Sequence, residues 1–169
     1  MIWALERACR EEVSGVLVVA SGVLYRSGHL APADLAKTIR RYNLKTVVNL
    51  RKDVKFASVG LDEKAWVEER GLRYVYLPAQ DVTDPAQVRA FLEIVTRREN
   101  QPVLAHCHHG KSRTGVFVAA YRICVEGWSA PKAADEMMKL GASPDFCERH
   151  MPLLRALESA DWRSRFSAR

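Results

Sequence analysis

The chain has 169 residues, is 48% hydrophobic and carries a formal net charge of +6. That length and apolar content suffice for one buried core and exclude two ordinary domains, so a single domain over residues 1–169 is expected, with its core from about 15 to 158. The charge favours anionic partners, although Arg163, Arg165 and Arg169 concentrate part of it in the tail; a solvated basic surface with no specific partner is the alternative. Four separated cysteines, Cys9, Cys107, Cys124 and Cys147, form no CxxC pair, so neither a disulfide framework nor a zinc ribbon is indicated, and reduced thiols in a cytoplasm are the simpler reading.

The apolar stretch "VSGVLVVASGV" at 13–23 is too short to span a bilayer and follows Glu6, Glu11 and Glu12. It reads as strand and turn, with Ser21-Gly22 turning the chain into "VLYRSG"; export of a longer precursor stays compatible with the sequence. After Pro32, helical spacing puts Leu35, Ala36, Ile39 and Tyr42 on one face, and "TVVNL" at 46–50 follows as a buried strand. "DEKAWVEER", Gly71 as its C-terminal cap and "RYVYL" at 73–77 repeat that plan. Asp84 caps a helix with Pro85 in its first turn and Val88, Phe91, Leu92 and Val95 as its apolar stripe. The strand "QPVLAH" at 101–106, an apolar helix running on from Gly115, and helices starting near Ser129 and Ser143-Pro144 complete the chain. Strands alternating with helices predict an α/β domain with a central, mostly parallel sheet flanked by helices.

Between strand 101–106 and that apolar helix lies "CHHGKSRTG", with the helix expected to open at Arg113-Thr114. In such sheets ligands sit at the C-terminal strand ends, and a helix N-terminus with free amides favours an anion there. A nucleotide-binding loop fails because the Walker pattern needs Gly five positions before Gly110, where Ala105 stands. A metal site fails because successive residues on a strand face opposite ways and no second ligand cluster exists, with His29 and His150 isolated. A nucleophile in an anion cradle uses every residue. Cys107 and Arg113 stand six positions apart, so the loop can curl around a phosphate with sulfur beneath and guanidinium above. The helix dipole favours the thiolate, Gly110 allows a tight turn, and Thr114 can hydrogen-bond the sulfur as it leaves.

"HCHHGKSRTG" resembles the His-Cys-x5-Arg-Ser/Thr signature of the cysteine-based protein tyrosine phosphatase superfamily. "LYRSG" at 24–28, "VVNLR" at 47–51 and "YRICVEGWS" at 121–129 are similar to the small bacterial dual-specificity-type members, and atypical inositol pyrophosphate phosphatases look related. The resemblance implies a single-domain dual-specificity-phosphatase-like fold. It also implies a metal-independent phosphate monoester hydrolase working through a phosphocysteine, with no cofactor. The substrate expected is a phosphorylated tyrosine or serine/threonine protein; the alternatives are an inositol polyphosphate or phosphoinositide, and an inactive phosphate-binding module. Nucleic acid and a membrane span are not expected, and the chain is read as a monomer.

The family places an acid Asp upstream of the cysteine. Asp81 and Asp84 are the candidates, and Asp81 is preferred because Asp84 has the capping job. Within the loop, His108, His109, Gly110, Lys111 and Ser112 are assigned to the substrate, the two histidines more through amides than rings. His106 is expected to hydrogen-bond backbone and orient the cysteine. Arg51, Lys52 and Arg26, with Lys55, either line the mouth as further phosphate contacts or form an ordinary solvated basic loop. Cys124 is either a redox partner of Cys107 or core packing.

Overall fold

A computed structural model describes residues 14–56, 58–79 and 82–166. Five strands form one sheet: β1 (Val16–Ala20), β2 (Leu24–Ser27), β3 (Thr46–Asn49), β4 (Arg73–Tyr76) and β5 (Val103–His106), in the order β1-β2-β5-β3-β4. The β1–β2 hairpin is antiparallel; β2–β5, β5–β3 and β3–β4 are parallel. The sheet is therefore mixed but mostly parallel. The hairpin turns where Ser21-Gly22 signalled it, with Gly22 at φ +74.

Among the described residues the sheet is accompanied by seven α-helices, α1 (Pro32–Tyr42), α2 (Glu63–Glu68), α3 (Pro85–Val95), α4 (Ser112–Cys124), α5 (Ala130–Lys139), α6 (Pro144–Ala156) and α7 (Ala160–Phe166), and one short 3-10 turn at Arg98–Asn100. Their starts follow the capping chemistry. Asp62, Asp84, Ser129 and Ser143 are N-caps whose side chains accept from Ala65, Ala86, Lys132 and Phe146 N–H respectively. Strand alternation divides the core. Tyr25, Val47 and Leu104 pack with α1 and α2 residues such as Leu35 and Val67, whereas Leu24, Val48, Val103 and Ala105 pack with α3 to α7. Helix α4, buried on most sides, lies at the centre of the second cluster.

Several boundaries differ from expectation: β5 begins at Val103 where the strand was expected from Gln101, and α2 is capped by Glu69 where Gly71 was expected. α4 opens at Ser112, one residue before Arg113, so the loop's last residue already belongs to the helix. α7 was not anticipated, yet its Phe166 is buried in the main core beyond residue 158, with Trp162 packed against it. Among the described residues, no helix is long and apolar enough to cross a membrane, and no group of three or more His, Cys, Asp or Glu side chains is placed to hold a metal ion.

The topology positions the loop. The chain builds β2, passes to β3 and β4, then returns to insert β5 between β2 and β3. Ser27, His106 and Asn49 stand side by side at the last rungs of these three parallel strands. Cys107 thus follows the central strand at the sheet's C-terminal edge, at the switch in strand order where such sheets bind ligands.

Candidate active site

Cys107 is 3% exposed, and Gly110 N–H reaches its Sγ at 3.2 Å, closing the loop over the sulfur. That closure depends on close backbone packing. Gly110 has φ +71, and a Cβ on it would lie 2.6 Å from Gly28 N, Ser27 C and Ser27 O. A Cβ on Gly28 would in turn meet His108 O at 3.2 Å, and His29 N–H donates to that same oxygen at 3.0 Å. The loop therefore rests, backbone on backbone, on the end of β2.

His108 and His109 are exposed and meet edge to face, ring centroids 4.4 Å apart. Lys111 is exposed, and its stem lies along the α5–α6 turn, where a Cβ on Gly141 would come within 3.0 Å of Cδ. Ser112 and Arg113 are half-buried on the first turn of α4. Thr114 is fully buried and its Oγ1 makes no hydrogen bond in the resting loop; its contact with the sulfur is expected as the sulfur leaves phosphorus. In the resting loop Gly110 N–H reaches the sulfur. Asp81 lies outside the described residues. Asp84 caps α3, accepting Ala86 N–H at 2.8 Å.

The basic positions divide differently from expectation. Arg26 is 2% exposed and lies beneath the loop, not at its mouth: its Nη2 donates to Gly110 O at 2.6 Å and to Lys111 O at 3.4 Å. Arg51 is buried too, donating to Lys55 O at 3.0 Å with Asp53 at 3.7 Å, so neither a rim contact nor a solvated loop describes it. Of the three, only Lys52 is exposed, its carbonyl accepting the Tyr76 hydroxyl at 2.7 Å. Both arginines belong to strands or strand ends whose side chains point into the protein, where the guanidinium finds backbone carbonyls.

His106 does not bond backbone. Its Nε2 lies 2.8 Å from Glu63 Oε1, an ion-pair distance without the alignment of a good hydrogen bond, and its Nδ1 has no partner. Glu63, 1% exposed at the start of α2, is also 3.3 Å from Asn49 Nδ2, which donates to the Tyr74 hydroxyl at 2.8 Å. Burial, then the Glu63 charge, raises the Tyr74 phenol above its ordinary range. His29 is not isolated: its ring sits 5.8 Å from Phe56 and 5.9 Å from His106. Burial, reinforced by Arg51, lowers it to about 4, leaving the ring neutral at neutral pH.

Sequence reasoning missed Glu63, Asn49 and Tyr74. The available signal was Asn49, a polar residue in an otherwise apolar buried strand. Because Glu63 is nearly solvent-free and sits against His106 and Asn49, Glu63→Ala should destabilise the protein by about 1–3 kcal/mol through the buried polar groups it leaves without a neighbour. Glu63→Gln, which keeps the shape and one acceptor, should lose less; urea unfolding of the two variants checks the order.

Cys124 is the last residue of a 13-residue helix that begins after the loop, about 18 Å along the axis. A disulfide needs Cα atoms within about 7 Å. Pairing with Cys107 is thus out of reach, and Cys124 packs in the core with its thiol pushed up to about 12 by burial.

Residues 19–149 match the family model described as a DSP-PTPase phosphatase fused to NAD+ kinase. The chain is 40% identical over 123 residues to the dual specificity protein phosphatase TpbA of Pseudomonas aeruginosa (strain UCBPP-PA14), covering 72% of this chain and 52% of that protein. It is 28% identical over 127 residues to the inositol diphosphatase DSP4 of Arabidopsis thaliana, covering 71% and 61%. The chain thus spans about half the length of TpbA. A solved structure of P. aeruginosa TpbA superimposes with a TM-score of 0.63 and 33% identity, over 80% of this chain and 86% of that one. A cysteine loop seated at the switch point of this sheet, and a family match across most of the domain, place the chain in the cysteine-based protein tyrosine phosphatase superfamily, among its dual-specificity-type phosphatases.

Proposed function

We propose that the chain hydrolyses phosphate monoesters through a phosphocysteine on Cys107, acting on phosphorylated tyrosine or serine/threonine in proteins. The observation that carries this reading is the closed loop: Cys107 Sγ takes the Gly110 N–H at the end of β5, and Arg113 rides the first turn of α4. The Cys107 thiolate attacks phosphorus in line. An S–P bond forms as the ester P–O bond breaks, and the leaving oxygen takes a proton from Asp81. Arg113 and the loop amides hold the equatorial oxygens. Water then attacks phosphorus, giving its proton to the Asp81 carboxylate, and the S–P bond breaks to release orthophosphate and regenerate the thiolate, with Thr114 as a hydroxyl donor to the departing sulfur. The capping contact that occupies Asp84 supports Asp81 as the acid.

Asp81→Asn should therefore slow esters with poor leaving groups on the order of 10²-fold, and aryl phosphates with good leaving groups far less. Steady-state rates across a leaving-group series check this, and the same pattern in Asp84→Asn instead would reverse the assignment. Activity should survive EDTA. The setting is read as cytoplasmic, and the chain as a monomer that takes no nucleic acid.

Exposed Lys111, His108 and His109 around the loop, together with Lys52, favour a second reading, an inositol polyphosphate or phosphoinositide substrate, because a polyanion needs cations beyond the one holding the scissile phosphate. The 28% identity to an inositol diphosphatase supports it as well. Phosphate release from phosphotyrosine peptides, phosphoserine peptides, phosphoinositides and inositol hexakisphosphate separates the two. Lys111→Met should cost about ten- to a hundredfold in kcat/KM with inositol hexakisphosphate if the second reading holds, and a small, similar loss with every substrate if the first does.

A further inference from the structure

We propose that Arg26 is a positioning residue that fixes the phosphate-facing amides of the loop from behind. The inference rests on the phosphatase reading and extends it to a residue that never touches substrate. In a trans peptide the C=O and the following N–H point in opposite directions. Whatever holds a loop carbonyl back therefore aims the next amide forward.

Three loop carbonyls are held in this way, all on the side of β2. His108 O accepts the His29 N–H at 3.0 Å, which turns the His109 amide the other way. Gly110 O accepts Arg26 Nη2 at 2.6 Å, which turns the Lys111 amide. Lys111 O accepts Arg26 Nη2 at 3.4 Å and the helical Gly115 N–H at 3.1 Å, which turns the Ser112 amide. The first contact is backbone and common to any sequence. The second depends on Arg26 alone.

The guanidinium suits the task. At 2% exposure it is shielded from water, and its Nη2 has one N–H for each of two successive carbonyls; a lysine ammonium has donors enough for both but a shorter side chain to bring them there. Burial lowers its proton affinity, while the charges of Glu136 and Cys107 act in the opposite direction.

The test compares wild type, Arg26→Met and Arg26→Lys in the full chain, using an aryl phosphate as substrate and inorganic phosphate and vanadate as inhibitors. Amides aimed at the oxygens matter most when charge spreads in the transition state, so Arg26→Met should lose on the order of 10²-fold in kcat while KM moves by less than about tenfold. Vanadate, which becomes trigonal bipyramidal on the sulfur, should lose affinity in step with kcat/KM, and tetrahedral phosphate should lose much less. Arg26→Lys should recover part of kcat.

A folded Arg26→Met with wild-type kcat, or with equal losses for vanadate and phosphate and no recovery in Arg26→Lys, overturns the inference. Should Arg26→Met not fold, Arg26→Lys decides alone: a kcat loss of about tenfold with phosphate binding retained supports the role, and an unchanged kcat overturns it. A wild-type chain that neither hydrolyses the ester nor binds vanadate defeats the phosphatase reading itself, and the inference falls with it.

Discussion

Cys107→Ser is expected to abolish turnover, by on the order of 10⁴–10⁶-fold in kcat, while the fold and the affinity for inorganic phosphate stay close to wild type. The reason is local. Serine is nearly isosteric with cysteine, so at a position 3% exposed it creates neither a cavity nor a clash, and its oxygen can still accept the Gly110 N–H that now reaches sulfur at 3.2 Å. A neutral hydroxyl in that place is a poor nucleophile at neutral pH, and no histidine or carboxylate among the described residues makes a hydrogen bond to Cys107 from which it could act as the base. Burst and steady-state kinetics, with phosphate binding by calorimetry, read both halves of the expectation. Retained turnover would move the chemistry to another residue.

The second large effect is expected from the smallest possible change. Gly110→Ala adds one methyl group at φ +71, where an L residue already pays about 1–2 kcal/mol, and sets it 2.6 Å from three backbone atoms of Ser27 and Gly28. Those atoms belong to the end of a buried strand and cannot rotate aside as a side chain would. The loop itself must therefore lift from β2, which breaks the Arg26 contact with Gly110 O and turns the amides away from the phosphate position. A loss on the order of 10²–10³-fold in kcat/KM is expected, together with a destabilisation of about 1–3 kcal/mol. Gly141→Ala makes an instructive contrast, because its new methyl would meet the far end of the Lys111 side chain, which can move. Wild-type kinetics in Gly110→Ala would contradict the packing on which the site depends.

The sequence disclosed the parts of this site that are local. The run from strand 101–106 through Cys107 to Arg113 and the apolar helix is contiguous, and its spacing alone suggests a loop around an anion. Helix starts at Asp84, Ser129 and Ser143 were legible for the same reason, since a cap acts on amides two or three residues away. What stayed hidden depends on strand order. Nothing in "LYRSG" or "VVNLR" says that β5 will insert between β2 and β3, and only that insertion turns Arg26 from a surface cation into a buried one beneath the loop. The Glu63–His106 contact is hidden likewise, because it joins the first turn of a short helix to a strand end far along the chain. The failure of the Cys107–Cys124 pairing needed only the helix length, which the apolar run from Gly115 already implied.

The central claim is that phosphate leaves its ester by way of the Cys107 sulfur. Acid-quenching the enzyme during turnover of an aryl phosphate, followed by peptide mass mapping, tests this most directly. One phosphoryl group on the peptide carrying Cys107, accumulating in Asp81→Asn if hydrolysis of the intermediate slows and absent from Cys107→Ser, is the predicted result. Phosphate release with no phosphorylated cysteine at any quench time, or a phosphoryl group carried by another residue, would contradict it.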